Sequence, residues 1–177
     1  MPVTLSEKFV GDLCSNSFFN IWSFRNPVKE VGLEKELTDV LIVCDTNLII
    51  ISVKEIKFQE NVAYETAYER WLKRAVERSV KQIYGAERQL KKMDIVINQD
   101  GEEGINLPPL ESRVIHRIGV ALGGKRKVLY SSANFGKGFV HIFDEFSFYL
   151  IIKELDTISD FIEYLRKKEI FLSSGKK

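Results

Sequence analysis

Two apolar runs separated by only two residues constrain this chain more than any other feature. Residues 38–44 read TDVLIVC, residues 47–54 read NLIIISVK, and Asp45-Thr46 joins them. A joint that short predicts a hairpin. Runs without polar alternation predict strands covered on both faces, as at the centre of an α/β sheet. In a hairpin the start of the first strand lies beside the end of the second. Asp39 begins one run and Lys54 ends the other, 15 residues later. An acid and an amine should therefore meet at one edge of an apolar sheet. A charge flanking such a run is costly unless it is paired or used.

The remaining chain supplies elements to cover that sheet. Residues 4–15 read as a helix with Leu5, Phe9 and Leu13 on one face. The aromatic stretch 18–24, FFNIWSF, reads as a strand ended by Asn26-Pro27. A long helix is expected over about residues 61–92, where Leu72, Val76, Val80, Ile83 and Leu90 trace a 3.6-residue stripe. Residues 98–109, with two glycines and two prolines, read as a loop, and 113–122 as a strand. Short strands are expected in 128–134 and 138–144, and a further one in FSFYLIIKEL, 146–155. A final helix opens at Thr157, with Asp160 three residues on in a capping-box pattern. The order is α-β-β-β-α-β followed by extra strands and a helix, a mixed α/β sheet in one domain spanning 1–177.

Composition narrows the class of protein. Of 177 residues, 45% are hydrophobic and 29% charged, which suits a globular chain and excludes a disordered one. The longest apolar run, Val40–Ile51, is broken at Asp45, Thr46 and Asn47 and falls short of the ~18 residues of a membrane span. No basic start precedes an apolar block, so a cytoplasmic location without membrane association is expected. Cys14 and Cys44 are then expected as free thiols. The net charge is +1, yet residues 65–92 hold eight Lys/Arg against four Glu, and residues 112–143 hold six against no acid. Residues 144–169 reverse this, with seven acids against four bases. A basic middle is compatible with a phosphate-facing surface. Lys73, Arg74 and the turn Lys125-Arg126-Lys127 are its candidate contacts. His116 and His141 have no ligand partner at metal spacing and read as structural. Gly123-Gly124-Lys125 lacks the spacing of a phosphate loop.

Asp39, the hairpin, and Lys54 with Ser52 two residues before it carry a resemblance. The stretch ELTDVLIV (36–43) followed by IISVK (50–54) resembles the central signature of the PD-(D/E)XK nuclease superfamily over about residues 5–120. That superfamily's core has the α-β-β-β-α-β order. The resemblance implies a restriction-endonuclease-like core at about 5–122 and a C-terminal elaboration at about 123–177. It implies a Mg²⁺-dependent hydrolase, with Mn²⁺ as substitute, cutting phosphodiester bonds of DNA in restriction, phage defence or repair, with RNA left open. Many members act as homodimers. Asp39 would hold the metal and Lys54 would assist the attacking water.

Ser52 departs from the pattern, because a hydroxyl does not match a carboxylate as a metal ligand. Members with Ser-x-Lys take their second acid from the following helix. Glu69, with Glu65 as alternative, would fill that role here. Glu55 and Glu36 point to the other face, one step along a strand. Glu7 on the first helix is a further metal candidate. Gln82 reads as a surface polar residue, although a helical glutamine near there touches the site in related nucleases. The other reading of Ser52 is a retired site, leaving a nuclease-fold module that binds nucleic acid or a protein partner without cutting.

Overall fold

The computed structural model describes residues 4–28, 36–97, 104–124 and 132–174. Helix α1, Leu5–Ser15, precedes the short strand β1, Ser23–Arg25. The hairpin follows as β2, Val40–Cys44, and β3, Asn47–Glu55, with Cys44 opposite Asn47 across the predicted two-residue turn. Asp45 takes the left-handed conformation, φ 52°, that such a turn demands. A helical crossover comes next: α2, Tyr64–Trp71, a π-helical segment over Leu72–Glu77, and α3, Arg78–Leu90. A small ribbon of β4, Ile95–Ile97, and β5, Gly104–Asn106, leads to β6, Val114–Leu122. The chain ends with β7, Ala133–Asn134, β8, Phe139–Phe143, and helices α4, Glu145–Glu154, and α5, Ile158–Ser173.

The six-stranded sheet runs β1-β2-β3-β6-β8-β7. β1, β2 and β3 form an antiparallel meander; β6 lies parallel to β3, and β8 parallel to β6. The chain is therefore α/β with a mixed sheet, as its apolar hairpin predicts. β2 and β3 are buried along nearly their whole length because both faces are covered. On one face Leu41, Leu48 and Ile50 pack with Trp71, Val76, Ile83 and Leu90 of the crossover. On the other, Val40, Ile42, Ile49 and Ile51 pack with Val10, Phe19, Phe148, Phe161 and Leu165.

Three expectations need correction. Residues 18–22 form turns, and only Ser23–Arg25 pairs as strand. Helix α1 buries Val10 and Cys14, whereas Leu5 and Phe9 are 86% and 43% exposed. The stretch 146–155 is not a strand but most of α4, because Asp144 caps it and Ser147 completes a capping box. Phe148 and Ile152, four apart, then share the buried face. Thr157 caps α5 by accepting from the Asp160 N–H, as its sequence pattern predicts. Both cysteines are free thiols, Cys14 in the core. No described helix is long and apolar enough to cross a membrane.

Candidate active site

Strand alternation sets the site. In β3, Ser52 and Lys54 point toward α3, and Val53 and Glu55 point toward α1. Asp39 lies one residue before β2 on the same side as Leu41, which also faces α3. The hairpin register then brings Asp39 against the end of β3. The Val53 N–H donates to Asp39 Oδ2, and Lys54 Nζ lies 3.8 Å from the same oxygen. Asp39 is 3% exposed and the Lys54 side chain 28%, so a buried carboxylate meets an amine that still reaches solvent.

The other Asp39 oxygen accepts from Gln82 Nε2 of α3 at 3.2 Å. The same amide accepts from the Ser52 hydroxyl through its Oε1, also at 3.2 Å, and Ser79 Oγ is 3.4 Å from Ser52. Gln82 is thus no bystander on the surface: it bridges Ser52 and Asp39. The sequence expectation that it is a wet polar residue is overturned by these contacts. Ser79 carried no signal at all. It reaches the sheet because α3 passes close over Gly119, which pairs with Ser52. A Cβ at Gly119 would lie 2.8 Å from Ile142 Cδ1 and 3.4 Å from Ser79 Cβ, so the helix already rests in van der Waals contact with the strand and an added methyl would displace the tip of Ile142.

Burial pushes the Asp39 carboxyl above its ordinary range. Lys54, the Val53 N–H and Gln82 pull it back, and the negative charge of Glu7 pushes it further up. Glu7 is therefore the carboxylate on the first helix that acts on Asp39 through space. Its backbone and side chain close a capping box with Thr4, the Thr4 N–H donating to Glu7 Oε2 at 2.8 Å. Ser6 beside it donates to Glu55 at the end of β3, which pins the start of α1 to the strand end that carries Lys54. Glu55 is thereby engaged on the face away from Asp39, as alternation requires.

The structure does not bring the helix acids to this site. Glu65 and Glu69 are exposed on α2, and among the described residues the crossover's hydrogen bond to Asp39 comes from Gln82, thirteen residues beyond Glu69. Lys73 and Arg74 are exposed on the π-helical segment. Lys125, Arg126 and Lys127 lie outside the described residues. Among the described residues no three of His, Cys, Asp and Glu gather as a metal-binding group. The acid whose charge acts on Asp39 is Glu7, and hard oxygen donors of this kind are those Mg²⁺ takes, one or two carboxylates with water and substrate oxygens completing its octahedron.

His116 and His141 lie elsewhere, on the α5 face of β6 and β8. They are 7% and 2% exposed, and His116 Nε2 is 3.0 Å from Asn47 Oδ1. A comparison of the chain with protein-family models, with curated proteins and with solved structures finds no match in any of the three.

Proposed function

We propose that the chain is a metal-dependent nuclease that hydrolyses phosphodiester bonds of DNA at the edge of the sheet where Asp39 and Lys54 meet. The observation that carries this reading is the pairing of a buried carboxylate with a partly exposed lysine, on one face, at the open end of β3. The element order around them supports it. An antiparallel meander followed by a helical crossover to a strand parallel with β3 is the arrangement expected of a restriction-endonuclease-like core.

In this reading Asp39 and Glu7 hold the divalent ion. When bound, that ion supplies charge stabilisation at the phosphoryl group and lowers the pKa of a water. Lys54 orients the attacking water or balances charge on the phosphoryl oxygens. Gln82 fixes the rotamer of Asp39 by donating to the oxygen that Lys54 does not face, and Ser52 fixes Gln82 in turn. Glu7 takes the place that sequence reasoning assigned to Glu69 or Glu65.

Supercoiled plasmid, linear duplex and single-stranded DNA, each with Mg²⁺, Mn²⁺ and EDTA, test the activity. Nicking that needs the metal and is lost in Lys54→Ala is the expected result. Absence of cleavage on every substrate by folded protein would refute it. The assignment of the second acid has its own measurement. By titration calorimetry, Glu7→Gln should weaken Mn²⁺ binding at least tenfold, whereas Glu69→Gln should leave it unchanged. The opposite ranking would return the ligand to α2.

A second reading is favoured by one observation: the helix side chain that meets Asp39 is an amide, and Ser52 is a hydroxyl. A module with this fold could keep the hairpin and bind nucleic acid or a protein without cutting. Mn²⁺ binding separates the two, since such a module retains no affinity that depends on Asp39.

A further inference from the structure

A cavity of about 190 Å³ lies between the C-terminal half of α3 and the loop before β8, lined by Tyr84, Glu87, Arg88, Lys91 and Lys137. Its one acid is already engaged. Glu87 accepts from Arg117 through both oxygens, at 2.7 and 2.9 Å, and Lys91 Nζ lies 2.8 Å from Oε1. Burial alone would raise the Glu87 carboxyl, but Arg117 and Lys91 together hold it below the usual carboxylate value. Arg88, Lys91 and Lys137 line the cavity with Glu87 as the one acid of its lining, and Arg117 stands behind Glu87, where the charge of Glu169 also acts on it, so the lining itself carries the excess of positive charge.

The loop that carries Lys137 is fixed. Asn134 Oδ1 accepts from the N–H groups of Gly136 and Gly138, at 2.9 and 3.3 Å. The Tyr84 hydroxyl donates to the Gly138 carbonyl at 2.7 Å, tying the loop to α3. Gly138 has φ 114°, and a Cβ there would lie 2.8 Å from Arg117 Nη1, so the turn is shaped around the guanidinium. Like charges held together at a fixed turn repel unless an anion joins them.

We infer that this cavity binds a phosphate-type oxyanion, with Arg88, Lys91 and Lys137 as its cationic ligands and Tyr84 at its wall. The Arg117 fork is taken by Glu87, which leaves Arg88 as the guanidinium of the lining, and its fork suits the oxygens of a phosphate. Lysine ammonium groups suit phosphate as point charges. The site shares no residue with the Asp39 centre, so it stands whether or not the chain cuts DNA. The oxyanion has two chemical sources, a free phosphate or a phosphodiester of a nucleic acid backbone.

Amide chemical shifts distinguish them. Labelled protein in EDTA is titrated with sodium phosphate against sodium chloride of equal ionic strength, and separately with a short DNA duplex. Saturable shifts of the amides at 136–138 and 88–91 are the expected result. Shifts with phosphate and DNA alike assign a general phosphate site, with phosphate alone a small phosphoanion, and with DNA alone the backbone. The double variant Arg88→Gln/Lys137→Gln should weaken the response at least tenfold, and Lys153→Gln/Lys167→Gln, an equal loss of two charges on α4 and α5, should not. A dispersed spectrum certifies that the double variant is folded. No saturable shift with either probe, or shifts that survive in the folded double variant, would overturn the inference.

Discussion

Asp39→Asn should abolish metal-dependent cleavage while leaving the protein at least as stable as before. The loss is expected to reach about 10³-fold or more. A bound metal supplies several kcal/mol of transition-state stabilisation, and ~4 kcal/mol corresponds to about three powers of ten. The retained stability follows from the environment of the side chain. Asn keeps an oxygen to accept from the Val53 N–H and an amide to meet Gln82, whose own amide can turn to match. The carboxyl of Asp39 titrates above its unfolded range because it is buried. A carboxyl shifted upward stabilises the fold while protonated and loses that stability as pH rises through its folded pKa. At neutral pH the charged form is therefore the costly one, and a neutral amide relieves the cost. Plasmid nicking and urea denaturation at pH 7.5 check both halves. A variant that loses activity only because it unfolds would remove Asp39 from the chemistry and leave it a structural acid.

Acid should unfold this protein earlier than its carboxylates alone would require. His116 and His141 are held neutral: burial, with Arg166 and Arg117 nearby, brings His116 to about 4. Burial, with Lys168, His116 and Arg117 nearby, brings His141 to about 3. Among the described residues the His141 Nδ1 finds no hydrogen-bond partner, and its ring packs against Phe139 and Phe143, an apolar setting that disfavours a proton. The unfolded chain takes up these protons near pH 6.5, and the folded chain does not. The stability is thus full above pH 6.5 and is lost as pH falls through the interval below it. The slope of each histidine rises to about 1.4 kcal/mol per pH unit below its unfolded pKa, so the pair removes roughly 3 kcal/mol between pH 6.5 and 5. That is a large share of the ~5–15 kcal/mol typical of a domain. Urea midpoints at pH 7.5, 6.5, 5.75 and 5 measure the slope, and His141→Phe should halve it. A midpoint unchanged over that range would show that both rings protonate freely in the folded state.

The hairpin was legible because everything that specifies it is local. Two apolar runs and a two-residue joint fix strand, turn and register at once, and with them the meeting of Asp39 and Lys54. Helix α5 was legible through its cap at Thr157. Helix α4 was not, because FSFYLIIKEL is rich in aromatic and β-branched residues, which favour strands on average. The cap that decides the matter starts just ahead of that stretch at Asp144, reaches into it at Ser147, and pairs an acid with a serine in place of the usual glutamate. The sequence favours Glu69 over Glu65 because it lies one turn before the apolar stripe, and counting along an ideal helix places a side chain by position alone. The crossover first packs Trp71 and Val76 into the core and reaches Asp39 only afterwards. Glu7 was named from the resemblance, and no spacing in the chain links it to Asp39. That link is tertiary, made by the contact of Ser6 with Glu55.

The π-helical segment over Leu72–Glu77 has a bearing on how this chain tolerates changes of length. An α-helix advances 100° per residue, and a π-turn accommodates an extra residue without breaking the helix. It works as a phase shifter, letting Trp71 and Ile83 both face the core while Ser79 and Gln82 face the sheet edge. Deleting one residue between 72 and 77 would leave a smoother α-helix and a misaligned one. The half carrying Gln82 would rotate about 100° away from Asp39, or the half carrying Trp71 would rotate out of the core. The least regular stretch of the crossover is therefore the one whose residue count is least free to vary.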